Sequence, residues 1–133
     1  MTRHERLTLA EARGRTVADA MLARPKTLPA GASVGDVRRL FQRPEIRSVL
    51  LIEGTAFRGS IERSDLPPEL PDDAPARGLA GPAETIAPEA PIERALERLA
   101  GLDEQRLVVL DADGETLRGL LCLTGDAGFC VGP

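Results

Sequence analysis

Few side chains of this sequence have the types and spacing that chemistry needs. There is one histidine, His4, in a polar N-terminal stretch with no His or Cys beside it. The two cysteines, Cys122 and Cys130, match no zinc-ligand spacing, so no metal site is expected. No motif resembles a nucleophile elbow, and His–Cys or Ser–His–Asp catalysis finds no support, so the chain reads as a non-enzyme. Glu62, Arg63 and Asp65 cluster after the run Gly59-Ser60-Ile61. By residue type alone Glu62 and Arg63 read as solvated residues at a strand end and Asp65 as a turn or cap residue, although an arginine also suits fork-shaped contacts to phosphate or carboxylate.

The elements that position this cluster occur twice. Lys26-Thr27-Leu28-Pro29-Ala30 aligns with Glu84-Thr85-Ile86-Ala87-Pro88, and Val34, Val37 and Phe41 align with Ile92, Ala95 and Leu99. Arg47–Leu51 aligns with Arg106–Leu110, and Phe57-Arg58-Gly59 with Leu117-Arg118-Gly119. Each repeat reads as a short extended piece, an amphipathic helix and two strands. Ser33 with Asp36 has capping-box spacing, and Pro91 suits the first turn of the second helix. Pro44 ends the first helix, and Gly101 is expected to end the second through a positive φ. Arg38 intrudes on the apolar face at 34, 37, 38 and 41. The runs Ser48–Ile52 and Leu107–Leu110 predict strands buried on both faces. Asp113-Gly114 marks a hairpin turn, and Glu53-Gly54-Thr55 a weaker one. Pro67 to Gly78, rich in Pro and acidic residues, reads as a crossing linker. Residues 5–22 contain helical segments, with Val17–Leu22 packing an apolar side on a sheet.

This β-α-β-β unit, repeated once over residues 16–125, resembles a pair of CBS domains. The resemblance rests on Thr16-Val17-Ala18-Asp19-Ala20-Met21, on the helix from Ser33-Val34, on Val49–Ile52 and on Gly59–Asp65, taken in their order. It implies an α/β (α+β) fold of two repeats about a pseudo-twofold axis. The expected boundaries are an N-terminal extension 1–15, a first repeat 16–66, a linker 67–78, a second repeat 79–125 and a tail 126–133. It also implies a regulatory module that senses an adenosine-containing metabolite (AMP, ATP or S-adenosylmethionine), needs no cofactor and pairs as a homodimer or with a regulated protein. The other reading is a ligand-independent scaffold with degenerate sites.

Carried over residue by residue, Asp65 stands at the family's ribose-binding acid, and Thr27, Leu28 and either Val49 or Leu50 at positions that contact the ligand, the aliphatic ones reading equally as plain core packing. Glu62 replaces a hydroxyl residue that donates to phosphate. A carboxylate cannot donate, and at about 4 Å and an effective dielectric of 20 it opposes a phosphate by roughly 4 kcal/mol before screening. Arg63 offsets this only if it turns into the same cleft; the plainer reading leaves Glu62 solvated at a strand end. In the second repeat Thr85 corresponds to Thr27, Cys122 to the hydroxyl position and Gly125 to the acid. Thr124 and Asp126 are displaced candidates, and the resemblance implies a degenerate second site.

Composition narrows the classes. The 133 residues include three Phe and no Tyr or Trp, so a core must be aliphatic and no base-stacking platform is available. A net charge of −4 opposes a general nucleic-acid footprint. Arg38, Arg39 and Arg43 form a local basic run, read as a solvated helix face. Leu40, partly off the apolar stripe, is a candidate for self-association or for core packing. No apolar run approaches the ~18 residues of a membrane span, and the N-terminus lacks an apolar signal core, so no membrane contact and a cytoplasmic setting are expected; the count of two cysteines allows a Cys122–Cys130 disulfide, but that setting favours two reduced thiols.

Overall fold

The computed structural model describes residues 9–102, 105–123 and 129. It is a mixed α+β fold with elements in the order α1 (Val17–Ala20), β1 (Thr27–Pro29), α2 (Val34–Phe41), β2 (Ser48–Glu53), β3 (Ala56–Glu62), β4 (Thr85–Ile86), α3 (Ile92–Ala100), β5 (Arg106–Leu110) and β6 (Leu117–Cys122). Two three-stranded sheets result, ordered β1-β2-β3 and β4-β5-β6, each with a parallel pair and then an antiparallel hairpin. The strands fall into two compact units, one of residues 26–83 and one of residues 1–25 with 84–133.

In the unit of residues 26–83, Val37 and Phe41 of α2 pack with Val49, Leu51 and Ile61 of the sheet and with Ile46 and Ala76. Ser33 starts α2 as the capping box its spacing predicts: its Oγ accepts from Asp36 N at 3.2 Å, and Asp36 Oδ2 accepts from Ser33 N at 3.1 Å. Arg38, the polar intruder, donates to Asp72 Oδ1 at 2.6 Å and to the carbonyls of Pro67 and Pro68, so it ties the Pro-rich segment to the helix. Arg39 and Arg43 pair with Asp36 and Glu45, which neutralises the local basic run. Leu40 packs against the core.

The Pro-rich segment is more than a connection. Ala76 is fully buried, Val34 N donates to Ala74 O, and Gly81 exchanges two backbone bonds with Ser60 on the edge of β3. The other unit repeats this arrangement with residues 15–22. Val17 is fully buried, Ile92 N donates to Arg15 O, and Leu22 exchanges two backbone bonds with Leu120 on the edge of β6. Residues 74–81 are therefore the structural counterpart of 15–22, a correspondence the linker reading passed over.

In the unit that joins residues 1–25 to 84–133, Ala12, Val17 and Ala20 pack with Ile92, Ala95 and Leu99 of α3 and with Ile86, Leu107, Val109, Leu121 and Phe129. Asp19 caps Thr16 through its backbone N at 3.1 Å and its hydroxyl at 3.2 Å. Helix α3 ends at Gly101 as expected, but with φ −93 rather than a positive value. Gly101 N and Leu102 N donate to the carbonyls of Arg98 and Leu99, so a tightened last turn closes the helix and no left-handed residue is needed there. The left-handed step comes later, at Gln105 with φ 54. Cys122, 7% exposed, is disulfide-bonded. This corrects the reduced-thiol reading, which rested on compartment rather than on geometry.

The strand registers correct the repeat alignment by one residue. Thr27 pairs with Leu50 and Thr85 with Val108, so Leu50 corresponds to Val108 and Ser48 to Arg106. Arg47–Leu51 is thus not in step with Arg106–Leu110. The hairpin that follows is longer in the second repeat, which restores the match of Gly59 with Gly119. A one-residue slip exchanges the two faces of a strand, so this register decides which residues share a site.

Candidate functional site

Successive residues of a strand face opposite sides, and directly paired residues share a side. In the sheet β1-β2-β3, Val49, Leu51 and Ile61 point into the core, with Leu28 packed against them. The other side carries Thr27, Leu50 and Ser60 in one row and Ser48 with Glu62 in the next. The register therefore divides the predicted residues of the first repeat. Thr27 and Leu50 share the non-core face, whereas Leu28 and Val49 are core residues.

Two further residues belong to this face that sequence reasoning missed. Ser48 and Ser60 are 8% and 7% exposed, the only buried polar residues among those described. Ser48 Oγ donates to Glu62 Oε1 at 2.8 Å, and Ser60 Oγ donates to Glu62 Oε2 at 3.1 Å. Glu62 is half-buried and held by both hydroxyls, so it is not the solvated strand end of the plainer reading. A serine at every second place beside a pair-forming acid was the available signal, but it depends on knowing the register.

Asp65 is exposed, and its Oδ2 accepts from Glu62 N at 2.9 Å. This is the capping role anticipated for it, closing the single 3-10 turn Arg63–Asp65. Arg63 turns away from the acids. Its guanidinium donates to Phe41 O at 2.7 Å, to Arg43 O at 2.9 Å and to Ile46 O, and lies 4.7 Å from the centroid of the Phe41 ring. Those carbonyls are the free end of α2 and the loop beyond it, so Arg63 braces that end. Its donors are occupied by backbone, which speaks for a bracing role over ligand contact.

The second repeat has a different face. Val108, Leu120 and Cys122 stand where Leu50, Ser60 and Glu62 stand in the first, with Arg106 in place of Ser48. The Thr85 carbonyl accepts from Arg98, whose other arm binds Glu84 Oε1 at 2.8 Å. Arg98 aligns with Leu40, so the first repeat has no equivalent brace. Thr124 and Asp126, the displaced candidates of this repeat, lie outside the described residues, as do His4 and Cys130. Among the described residues no group of three or more His, Cys, Asp or Glu side chains could hold a metal ion, and no helix is long and apolar enough to cross a membrane.

Comparison with known structures finds the same fold. A CBS domain protein from Pyrobaculum aerophilum, complexed with AMP, superposes with a TM-score of 0.69 at 20% identity, covering 80% of this chain and 86% of that one. CBSX2, a CBS-pair protein of Arabidopsis thaliana, in complex with AMP gives 0.70 at 23% identity, covering 82% and 90%. The cytosolic domain of the Mg2+ channel MgtE, in complex with ATP, gives 0.66 at 19% identity, covering 77% and 43%. No curated protein matches the sequence. The CBS domain family model matches twice, over residues 17–67 and 79–124, and the chain belongs to that family as a tandem pair.

Proposed function

We propose that this CBS pair is a regulatory module that binds an adenosine-containing ligand through its first repeat and acts by homodimer or partner contacts rather than by catalysis. The observation that carries the reading is the polar, solvent-excluded face of β1-β2-β3. Thr27 and Ser60 flank Leu50 there, and Asp65 ends the 3-10 turn that follows β3. Similar folds are complexed with AMP or ATP. Asp65 keeps Oδ1 for a ribose hydroxyl while Oδ2 caps Glu62. With no Tyr or Trp in the chain, adenine would be held by aliphatic packing and backbone bonds.

Native mass spectrometry of the intact protein with adenosine-containing ligands tests this, since it reads occupancy and oligomeric state together. One ligand per chain, lost in Asp65→Ala, is expected. Thermal shift gives the same answer energetically: a ligand at 100 times its Kd adds about 2.7 kcal/mol. The second reading, a ligand-independent interaction module, draws on the brace of Arg98 over the Thr85 carbonyl and on Cys122 at the hydroxyl position. No shift with millimolar ligand would favour it. A cytoplasmic setting belongs to the proposal too, and the disulfide at Cys122 weighs against it, because disulfides are rare there. Alkylation of free thiols at the moment of cell lysis decides the point.

A further inference from the structure

We propose that the disulfide at Cys122 is a redox-operated latch that seats Phe129 in the core of the unit of residues 1–25 and 84–133, and that a dithiol partner opens it. Three observations carry the inference. First, Cys122 is disulfide-bonded, and Cys130 is the only other cysteine in the sequence, so the bond joins these two. Second, Leu123 and Phe129 form an antiparallel bridge. In such a bridge the residue before one member stands opposite the residue after the other, which matches Cys122 with Cys130. Opposed α-carbons about 4.5–5.5 Å apart lie within the span of a disulfide. Third, the alternation of faces separates the bond from the side chain it holds. Cys122 pairs with Arg106 on the non-core face of β6, whereas Leu123 and Phe129 join the core. Phe129 is 1% exposed and is the largest fully buried side chain among those described. It shares its core with Ala12, so the latch also bears on the N-terminal side of the chain. Opening is thiol–disulfide exchange. One thiolate of the partner attacks a sulfur of the bond, and the partner's second thiol resolves the mixed disulfide. The partner's dithiol becomes a disulfide as Cys122 and Cys130 take up two electrons and two protons. In a reducing setting a disulfide is transient or sensing rather than permanent. That last step rests on the cytoplasmic part of the proposed function.

The test takes the full-length protein through reduction without denaturant. Peptide mapping of the oxidised form should give Cys122 linked to Cys130 within one chain. A glutathione buffer at the cytosolic poise should open the bond in at least half of the molecules, as read by alkylation. The reduced protein should stay folded, with Tm lower by roughly 5–15 °C. Exchange at the Leu123 amide, which donates to Gln105 O, should rise at least tenfold. Phe129→Ala should shrink the Tm difference between the two redox forms by at least half, because the bond then has no ring to seat. A bond that stays closed in that buffer is a permanent staple, and the latch is overturned. It is equally overturned if the cysteines are not joined to each other, if reduction changes neither Tm nor exchange at Leu123, or if a folded Phe129→Ala keeps the full difference. The wild-type comparison decides the matter even where the variant fails to fold. Alkylation at cell lysis reads the setting separately. Full oxidation there, with opening in the buffer, removes the cytoplasmic reading and leaves the latch standing.

Discussion

Gly59 and Gly119 occupy the same place in the two repeats, and each is a glycine because another segment comes too close for a side chain. A Cβ on Gly119 would lie 2.7 Å from Leu22 O and 2.8 Å from Met21 Sδ. On Gly59 it would lie 2.8 Å from Ala80 Cβ, and there φ is +142, a value that L side chains rarely adopt. Overpacking of this kind costs roughly 1–3 kcal/mol. Gly119→Ala and Gly59→Ala should each lower the urea midpoint accordingly, Gly59→Ala by more because backbone strain adds to the clash. An unchanged midpoint would refute the close-approach account. Arg63→Met should also destabilise, on the order of 1–2 kcal/mol, because three carbonyls at the end of α2 lose a charged donor. Asp113 makes a pH-dependent contribution. Its carboxylate accepts from the Thr116 hydroxyl and from the backbone N–H groups of Thr116 and Glu115, which lowers its pKa from 3.8 to about 2. A depressed carboxylate pKa stabilises the fold above 3.8, and that contribution is lost as pH falls toward 2. Asp113→Ala should therefore be less stable than the parent at pH 7, with the gap closing between pH 4 and pH 2 in urea titrations.

At the scale of elements, the helices, the order of the strands and the Asp113-Gly114 turn were legible because each follows from local chemistry. Apolar spacing marks α2 and α3, Ser33 with Asp36 marks a cap, and Asp-Gly marks a hairpin. What escaped depends on pairing between distant residues. The match of Leu50 with Val108 needs the parallel ladder to β1 and β4, since two aliphatic runs slide past each other without penalty in sequence. The Ser48–Glu62–Ser60 cluster escaped for the same reason, although Glu62 itself was singled out. Residues 74–81 escaped because Pro75-Ala76-Arg77-Gly78 shares no residue type, position for position, with Thr16-Val17-Ala18-Asp19. Only the backbone bonds and the buried Val17 and Ala76 reveal the correspondence. It makes the Pro-rich stretch two elements of different tolerance. A six-residue Gly-Ser insertion between the exposed Pro68 and Glu69 should change stability by about 0.5 kcal/mol or less, within the range of surface changes. The same insertion between Leu79 and Ala80 breaks the approach of Gly81 to Ser60 and should cost several times more. Equal costs in thermal unfolding would return the whole stretch to the status of a linker.

For the whole molecule, the decisive fact is that one unit is assembled from both ends of the chain and the other from its middle. Ala12, Val17 and Ala20 come from the N-terminal side of the chain, yet the core they fill is that of α3, β5 and β6. No ring larger than phenylalanine is available, so small aliphatic contributions such as that of Val17 carry a correspondingly large share of the core. A unit of roughly 60 residues buries only about 60% of its unfolded surface, which leaves it marginal by itself. The chain crosses from one unit to the other twice, and neither has stability to spare, so the pair should unfold in one cooperative transition. Val17→Ala makes this measurable in the intact protein. Removing two methyl groups from a fully buried site should cost about 1–3 kcal/mol, judged from larger and smaller truncations of the same kind. Hydrogen exchange read amide by amide then locates the loss. Cooperative unfolding requires that the slowest amides of β2 and β3 lose the same free energy of protection as those of β5 and β6, although the core that Val17 fills is that of β5 and β6. If β2 and β3 keep their protection while β5 and β6 lose theirs, the units are separate foldons, and a ligand on the first repeat would have no route through global stability to the second.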